Sequence, residues 1–440
     1  RFRCEAPEQL HTEGLPRLSH GIQDVFNKKA DHDPLNALVI LCGLSIRDVL
    51  VLISLRNHLA QLMADVSPGA LTEAMVKNPG VSKCLFRIFE GMHRPAMPTA
   101  YLAQAKANFN QAMVDVQSLK EDTWFRALEA LVLCSLRTNA WQRDVGEALA
   151  IKINPSELTF APKPLPYREI FVHGVSVEGL HLRAGPIARG GLRYSDRPTD
   201  FRTEVLELMA TQVIKNGQII PTGAKGGFVV RDGKGPAFVL AQYHQFVHAL
   251  LAITDNRVLG KTVAPEGIRI ADGDQDDTYL VVAADKGTAR YSDDANAEAL
   301  DVNFWLGDAF ASGGSHGYDH KAFGITARGA WVCAVHHFER LNVDLWHDEV
   351  SVVGIGDMGG DVFGNGMLLN PNIKLLAAFN HAHVFLDPEP DVQAAFNERK
   401  RLFKSVMGWD EYDTTLISKG GGVYNRTAKS IKLTPEVQAV

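Results

Sequence analysis

Residues 188–229 read ARGGLRYSDRPTDFRTEVLELMATQVIKNGQIIPTGAKGGFV, and this stretch sets the reading of the whole chain. It holds Arg189, Arg193, Lys215 and Lys225, with Lys225 flanked by glycines in Gly223-Ala224-Lys225-Gly226-Gly227. A solvated lysine does not need glycine neighbours. A lysine beside which a ligand meets the backbone does, because glycine has no Cβ to block the approach. Several cations around one point make a trap for a dianionic substrate. Like charges and partial burial also disfavour an ammonium, so the pattern predicts a lysine able to act as a base. Taken residue by residue, the stretch reads first as a basic helix followed by a glycine-rich turn.

Two stretches downstream tip the balance. In Val281-Val282-Ala283-Ala284-Asp285-Lys286-Gly287-Thr288, an apolar strand pattern ends in an acid and a Gly-Thr turn. A carboxylate where a strand gives way to a loop is a usual place for a catalytic group. The plainer alternative is a helix cap, and Ser292-Asp293-Asp294 could supply one. In Glu349 to Gly360, a strand pattern runs into a G-x-G-x-x-G turn with Gly354, Gly356 and Gly359 in the three glycine places. Such glycines permit a tight turn and close approach of a pyrophosphate to a helix N-terminus. A helix-like segment, Val362 to Leu369, and a second strand candidate, Ile373 to Phe379, follow at βαβ distance.

The chain resembles the large bacterial NAD-specific glutamate dehydrogenases. The strings that carry the resemblance include ARGGLRYSDR, FRTEVLELMATQVIKN, GAKGGFV, YLVVAADKGTA, FWLGDAFASGGS, YDHKAFGITARGAW, VVGIGDMGGDVFGNGML and LISKGGGVYNRTAKSIKL. They are dense from about Tyr167 to Leu433. The resemblance implies oxidative deamination of L-glutamate to 2-oxoglutarate and ammonia, with NAD as cofactor. By matched position it implies Lys225 as the catalytic lysine and Asp285 as the catalytic aspartate. It puts Lys215 on the substrate α-carboxylate and Arg189 on the side-chain carboxylate, with Gly190 and Gly191 in the same substrate-binding segment. Thr326 falls at the nicotinamide amide, and Gly354, Gly356 and Gly359 at the dinucleotide turn.

That chemistry needs these residue types. Hydride transfer from the substrate Cα leaves an imine. A base must activate the water that attacks it, and an acid must carry protons to the departing ammonia. Lys225 is expected to be the base, kept neutral by Lys215 and Arg189 nearby, with Asp285 as proton relay. An arginine at 189 can grip a carboxylate through two hydrogen bonds. The sequence departs from the family where an acid usually meets the adenosine ribose: the position is Asn380. Asparagine can bond a ribose hydroxyl but does not repel a 2′-phosphate, so a weaker preference for NAD over NADP is expected. About ninety residues follow Trp346, too few for a complete dinucleotide domain, so this chain alone is expected to be inactive.

Composition sets outer bounds. The chain has 440 residues, 45 basic and 51 acidic side chains, a net charge of −6 and 46% apolar residues. This argues against nucleic-acid binding and for sizeable cores. Five cysteines, Cys4, Cys42, Cys84, Cys134 and Cys333, are scattered without CxxC spacing, which fits a reducing cytoplasm and no structural zinc. No apolar run is long enough to span a membrane; Ala37 to Leu44 reads as a buried helix. The first residue is Arg1, not methionine, which reads as a processed or internal start, and no signal peptide is visible.

The expected fold is α/β in three parts. Residues 1–155 form a helical region, 156–345 an α/β substrate domain of the amino-acid dehydrogenase type, and 346–440 the start of a Rossmann domain. The pairs His244/His248, His316/His320 and His381/His383 lack a third metal ligand, so no metal is expected. Thr222 to Gly226 fails the P-loop spacing. The complete enzyme is expected to be a homo-oligomer. Two other readings stand beside glutamate oxidation. One is a dehydrogenase of a neutral amino acid, against which Arg189 argues because an apolar pocket would leave its charge unpaired. The other is a truncated, non-catalytic assembly module.

Overall fold

A computed structural model describes residues 15–440 except 64, 218, 289, 318 and 319; Arg1 and Cys4 lie outside the described residues, as does the side chain of His320. Two compact units divide the chain after His316. The first opens with helices α1 (Leu15–Phe26), α2 (Leu38–Leu41), α3 (Ile46–Leu62), α4 (Pro68–Lys77), α5 (Pro79–His93), α6 (Thr99–Met113) and α7 (Leu119–Leu133). Helix α3 starts at a capping box, in which Ser45 Oγ accepts from Asp48 N–H and Asp48 accepts from Ser45 N–H. It is buried almost all round, as a central helix must be, with Ser54, Arg56, Asn57 and His58 among the buried residues.

The stretch read as wholly helical to residue 155 ends otherwise. After α7 the chain enters β1 (Ser135–Thr138) and β2 (Leu149–Ile153), both fully buried. They begin a sheet that continues through β3 (Arg168–His173), β4 (Val177–Arg183), β5 (Ala188–Tyr194), helix α8 (Phe201–Asn216), β6 (Thr222–Val230) and helix α9 (Pro236–Ala252). A short hairpin, β7 (Asn256–Val258) and β8 (Lys261–Val263), precedes β9 (Val282–Ala284), α10 (Ser292–Asp301) and β10 (Ala311–Ser312). The sheet order is β1-β2-β3-β4-β6-β5-β9-β10. It is antiparallel from β1 to β6 and parallel from β6 through β5 and β9 to β10.

Lys225 and its glycines therefore lie not in the glycine-rich turn of the alternative reading but in a strand, β6. Its glycines let neighbours lie closer than a side chain would allow. A Cβ at Gly227 would stand 2.6 Å from Val205 Cγ2 of α8, and one at Gly223 would stand 2.7 Å from the backbone of Val213. Helix α8 covers this face, whereas Phe246 of α9 lies on Gly179 of β4 on the other. The helical region is pinned to the sheet by a buried triad. Glu169 of β3 accepts from Arg202 of α8 at 2.9 and 2.8 Å and lies 2.7 Å from His58 Nε2 of α3. Burial alone would raise the Glu169 carboxyl, but Arg202 and His58 bring it down to about 2.

The second unit, by itself, contains α11 (His320–Phe323), α12 (Ile325–Glu339), β11 (Val350–Ile355), α13 (Asp361–Gly366), β12 (Ile373–Phe379), β13 (His383–Leu386), α14 (Val392–Ser405), β14 (Gly422–Asn425) and α15 (Pro435–Gln438). Strands β11 and β12 are parallel, joined through α13 as a βαβ crossover, and β13 and β14 add antiparallel strands. Trp409, Phe385, Tyr412 and Leu402 form its core.

Candidate active site

Lys225 lies mid-strand in β6, 8% exposed, on the face covered by α8. Its Nζ forms an ion pair with Oδ2 of Asp285, the first residue after β9. Strand β5 runs between them. Arg189 pairs with Gly223 and Leu192 with Gly226, so the register sets Gly191 beside Lys225; Gly191 in turn pairs with Ala283 of β9. A Cβ at Gly191 would meet Asp285 Cβ and the Ala284 carbonyl, each at 3.2 Å. One at Gly190 would run into the Ala224 carbonyl. The two glycines are thus where backbone replaces side chain, and Lys225 reaches the carboxylate over Gly191.

The turn that carries Asp285 is clamped to β5. Asp285 N–H donates to Thr288 Oγ1 at 3.0 Å, and that hydroxyl donates to the Leu192 carbonyl at 2.7 Å. This turn is not a helix cap; α10 begins at Ser292, and Asp293 instead accepts from Ser315 N–H. The Asp285 carboxylate also accepts from Arg193 Nε at 3.2 Å and Nη2 at 3.4 Å. Burial alone would raise its carboxyl, but the Lys225 and Arg193 contacts outweigh that and hold it below the ordinary carboxylate value. The charge against Lys225 is therefore an anion, not the cluster of cations expected from the sequence. Arg189 and Lys215 are both exposed, Arg189 on the same strand face as Gly191 and Arg193, Lys215 in the last turn of α8.

Arg193 is the residue whose place the sequence left open. Its Nη1 donates to Glu204 of α8 at 3.0 Å, and Ser195 Oγ donates to the other Glu204 oxygen at 2.5 Å. The available signal was the period of two along β5, which puts residues 189, 191 and 193 on one face.

In the second unit, Thr326 is exposed in the first turn of α12, after Gly324 in the left-handed conformation. Gly354 lies inside β11 rather than in the turn, and Phe363 of α13 packs where its Cβ would stand. Gly356, at φ +140, begins the turn, and Gly359 donates its N–H to Asp357 Oδ1 at 2.9 Å. Asn380 follows β12, but its side chain is already engaged. Its Oδ1 accepts from Ala382 and His383 N–H, and its Nδ2 donates to Asp357 Oδ2 at 2.7 Å. The parallel crossover with its turn at the carboxyl end of β11 is where open α/β sheets take dinucleotides, and α13 carries no side-chain cap on its first N–H groups. These residues fit NAD.

A protein-family model described as bacterial NAD-glutamate dehydrogenase, catalytic domain, matches residues 108–440. The chain belongs to that family. A second model, glutamate dehydrogenase helical motif 3, matches residues 30–95. Among curated relatives, the NAD-specific glutamate dehydrogenase of Pseudomonas aeruginosa is 44% identical across 97% of this chain and 28% of its own length. That of Mycobacterium tuberculosis is 44% identical across 96% of this chain and 28% of its own. The chain thus spans little more than a quarter of these relatives. The solved glutamate dehydrogenase of Plasmodium falciparum is 13% identical, with a TM-score of 0.39 over 85% of this chain and 65% of that one, too slight a likeness to argue from.

Among the described residues no group of three or more His, Cys, Asp or Glu side chains is placed to hold a metal ion. His244 and His248 both face Glu298, at 2.7 and 3.4 Å. No helix among the described residues is long and apolar enough to cross a membrane.

Proposed function

We propose that this chain carries the catalytic core for oxidative deamination of L-glutamate to 2-oxoglutarate and ammonia, with NAD as hydride acceptor, in glutamate catabolism. The observation that carries the proposal is the contact of Lys225 with Asp285 over the side-chain-free Gly191, with Arg189 on the same strand face. Arg189 is assigned to the substrate side-chain carboxylate and Lys215 to the α-carboxylate. Bound NAD supplies hydride acceptance; Gly356 and Gly359 would hold its pyrophosphate, Thr326 its nicotinamide amide, and Asn380 would lie by its adenosine ribose.

Protons are handled by the chain itself. Passage of a proton from Lys225 Nζ to the ionised Asp285 leaves a neutral amine. The amine draws a proton from the water that adds to the substrate imine, and Asp285 returns its proton to the departing nitrogen. We further propose that the complete enzyme is a homo-oligomer in the cytoplasm. Exposed Ile214, Ile219 and Ile220 support the first, and the described cysteines, all unpaired, the second.

The test is Lys225→Ala in the native enzyme that carries this chain. The expected result is a fall in kcat of about 10²–10⁴-fold with NAD affinity nearly intact. Retention of more than about a tenth of kcat overturns the proposal.

A further inference from the structure

Asp285 is gripped from two sides, and only one of them is the catalytic lysine. Arg193 lays its Nε and Nη2 along the two carboxylate oxygens at 3.2 and 3.4 Å, the fork geometry that fixes a carboxylate in plane. Arg193 is itself fixed, because its Nη1 donates to Glu204 Oε1 at 3.0 Å. Glu204 is fixed in turn by Ser195 Oγ on its other oxygen, and Ser195 Oγ accepts from Arg197 N–H at 3.1 Å. The chain of contacts thus runs from helix α8 to the end of β9 through one guanidinium. Its charges alternate, Glu204, Arg193, Asp285, Lys225, and sum to zero.

We propose that Arg193, held by Glu204, is the positioning residue of this centre: it orients Asp285 towards Lys225, keeps it ionised, and does not bind substrate. The inference rests on the function proposed above. Three of its five N–H groups are committed to Glu204 and Asp285, and its side chain is 21% exposed, so little of it is left to receive a substrate carboxylate. Arg189, on the same face but exposed, makes no such contact among the described residues and keeps the substrate role. A lysine could not replace Arg193, since a point charge cannot span both oxygens of Asp285 and reach Glu204 together.

Removing the guanidinium leaves Asp285 facing Lys225 alone, with Glu204 now an uncompensated anion beyond it. Both changes favour protonated Asp285, so the acid limb of the kcat profile moves up. The experiment measures kcat and glutamate KM against pH for Arg193→Ala, Arg193→Lys, Glu204→Gln and the double variant Arg193→Ala/Glu204→Gln, with Lys225→Ala in parallel, all in the native enzyme. Arg193→Ala is expected to lose about 10²-fold in kcat with KM changed less than about threefold, and to shift the acid limb up by about one pH unit. Millimolar guanidinium should restore part of the loss in Arg193→Ala. Arg193→Lys should not recover kcat. Glu204→Gln should cost less, and the double variant no more than Arg193→Ala alone, because Glu204 acts through Arg193. A raised KM with unchanged kcat makes Arg193 a substrate ligand and overturns the proposal. Additive losses, or a loss without pH shift or guanidinium rescue, reduce it to a structural residue and also overturn it. If Lys225→Ala stays active, the function itself fails, whatever Arg193 does.

Discussion

Lys225 meets Asp285 across Gly191, a position where any side chain would occupy the space between them. The pair therefore depends on an absent Cβ as much as on either charge. Gly191→Ala adds a methyl 3.2 Å from both Asp285 Cβ and the Ala284 carbonyl, tighter than ordinary van der Waals contact. The strand ends must part by a few tenths of an ångström, and the ion pair lengthens. A loss of about 10–100-fold in kcat is expected, because small misplacement of catalytic groups is costly. Thermal unfolding should shift little. Steady-state kinetics on the variant check this, and unchanged kcat would show that the corridor is not needed.

The proposed assignment of Arg189 makes it the residue that sets the substrate class. Arg189→Met should abolish most activity on glutamate and raise relative activity on norvaline, since a desolvated carboxylate left without its partner costs several kcal/mol, roughly 2–5. The ratio of kcat/KM for the two substrates is the readout. Because Arg193 is committed to Asp285 and Glu204, an unchanged ratio would move the carboxylate partner to a residue outside this strand rather than to Arg193.

Much of this was legible in the sequence where local pattern and final structure agree. The Ile373 to Phe379 run is β12 as read, and the acid after the VVAA run does stand at the end of a strand. Gly223 to Gly227 escapes the turn of the alternative reading, although glycine is a poor strand former by itself. It is a strand here because β5 and α8 approach it more closely than a Cβ permits, a tertiary fact with no local trace. The strands β1 and β2 leave no strand pattern either: both are buried throughout, yet they carry Arg137 and Lys152 inside on ion pairs with Asp274. The expectation that cations surround Lys225 counted charges along the chain. The structure replaces them with Asp285, and Arg193 joins it from 92 residues away, a separation that spacing rules do not reach.

Asn380 carries a different prediction from the one its residue type suggests. An aspartate there was expected to repel a 2′-phosphate and so to sharpen the preference for NAD. In the structure the Asn380 side chain holds the β12–β13 turn through two backbone N–H groups and donates to Asp357. Asn380→Asp would keep the two acceptors but set two carboxylates against each other, losing the bond that joins them. A destabilisation of about 1–3 kcal/mol is expected. The ratio of NAD to NADP efficiency should change little, since Asp357 already supplies an anion at this turn. Chemical denaturation and kcat/KM for both cofactors test the two halves. A sharpened preference without loss of stability would restore the simpler reading.

Stability should fall in mild acid, and two buried histidines set the window. Burial beside Arg269 pushes His93 down to about 3, and burial beside Arg183, offset only in part by Asp277, pushes His181 down to about 3. Both start from 6.5, so below that value the unfolded chain takes up protons that the folded chain refuses until about pH 3. The unfolded state then binds more protons, and stability drops as pH falls through this range, by up to ~1.4 kcal/mol per pH unit for each histidine. His173 opposes the trend. It is buried between Asp31, Glu178 and Arg231; burial alone would lower it, but the two acids raise it. Its contribution is therefore fully present in acid and is lost only as pH rises through its raised value. His181 is the cleaner probe, since neither ring nitrogen has a hydrogen-bond partner among the described residues, whereas His93 Nε2 meets Ser135 Oγ at 2.6 Å. Urea midpoints at pH 7 and pH 5 for the wild type and His181→Leu separate the terms. The variant should lose about 2 kcal/mol less than the wild type between the two pH values. Equal losses would mean that His181 takes up its proton without unfolding the sheet that buries it.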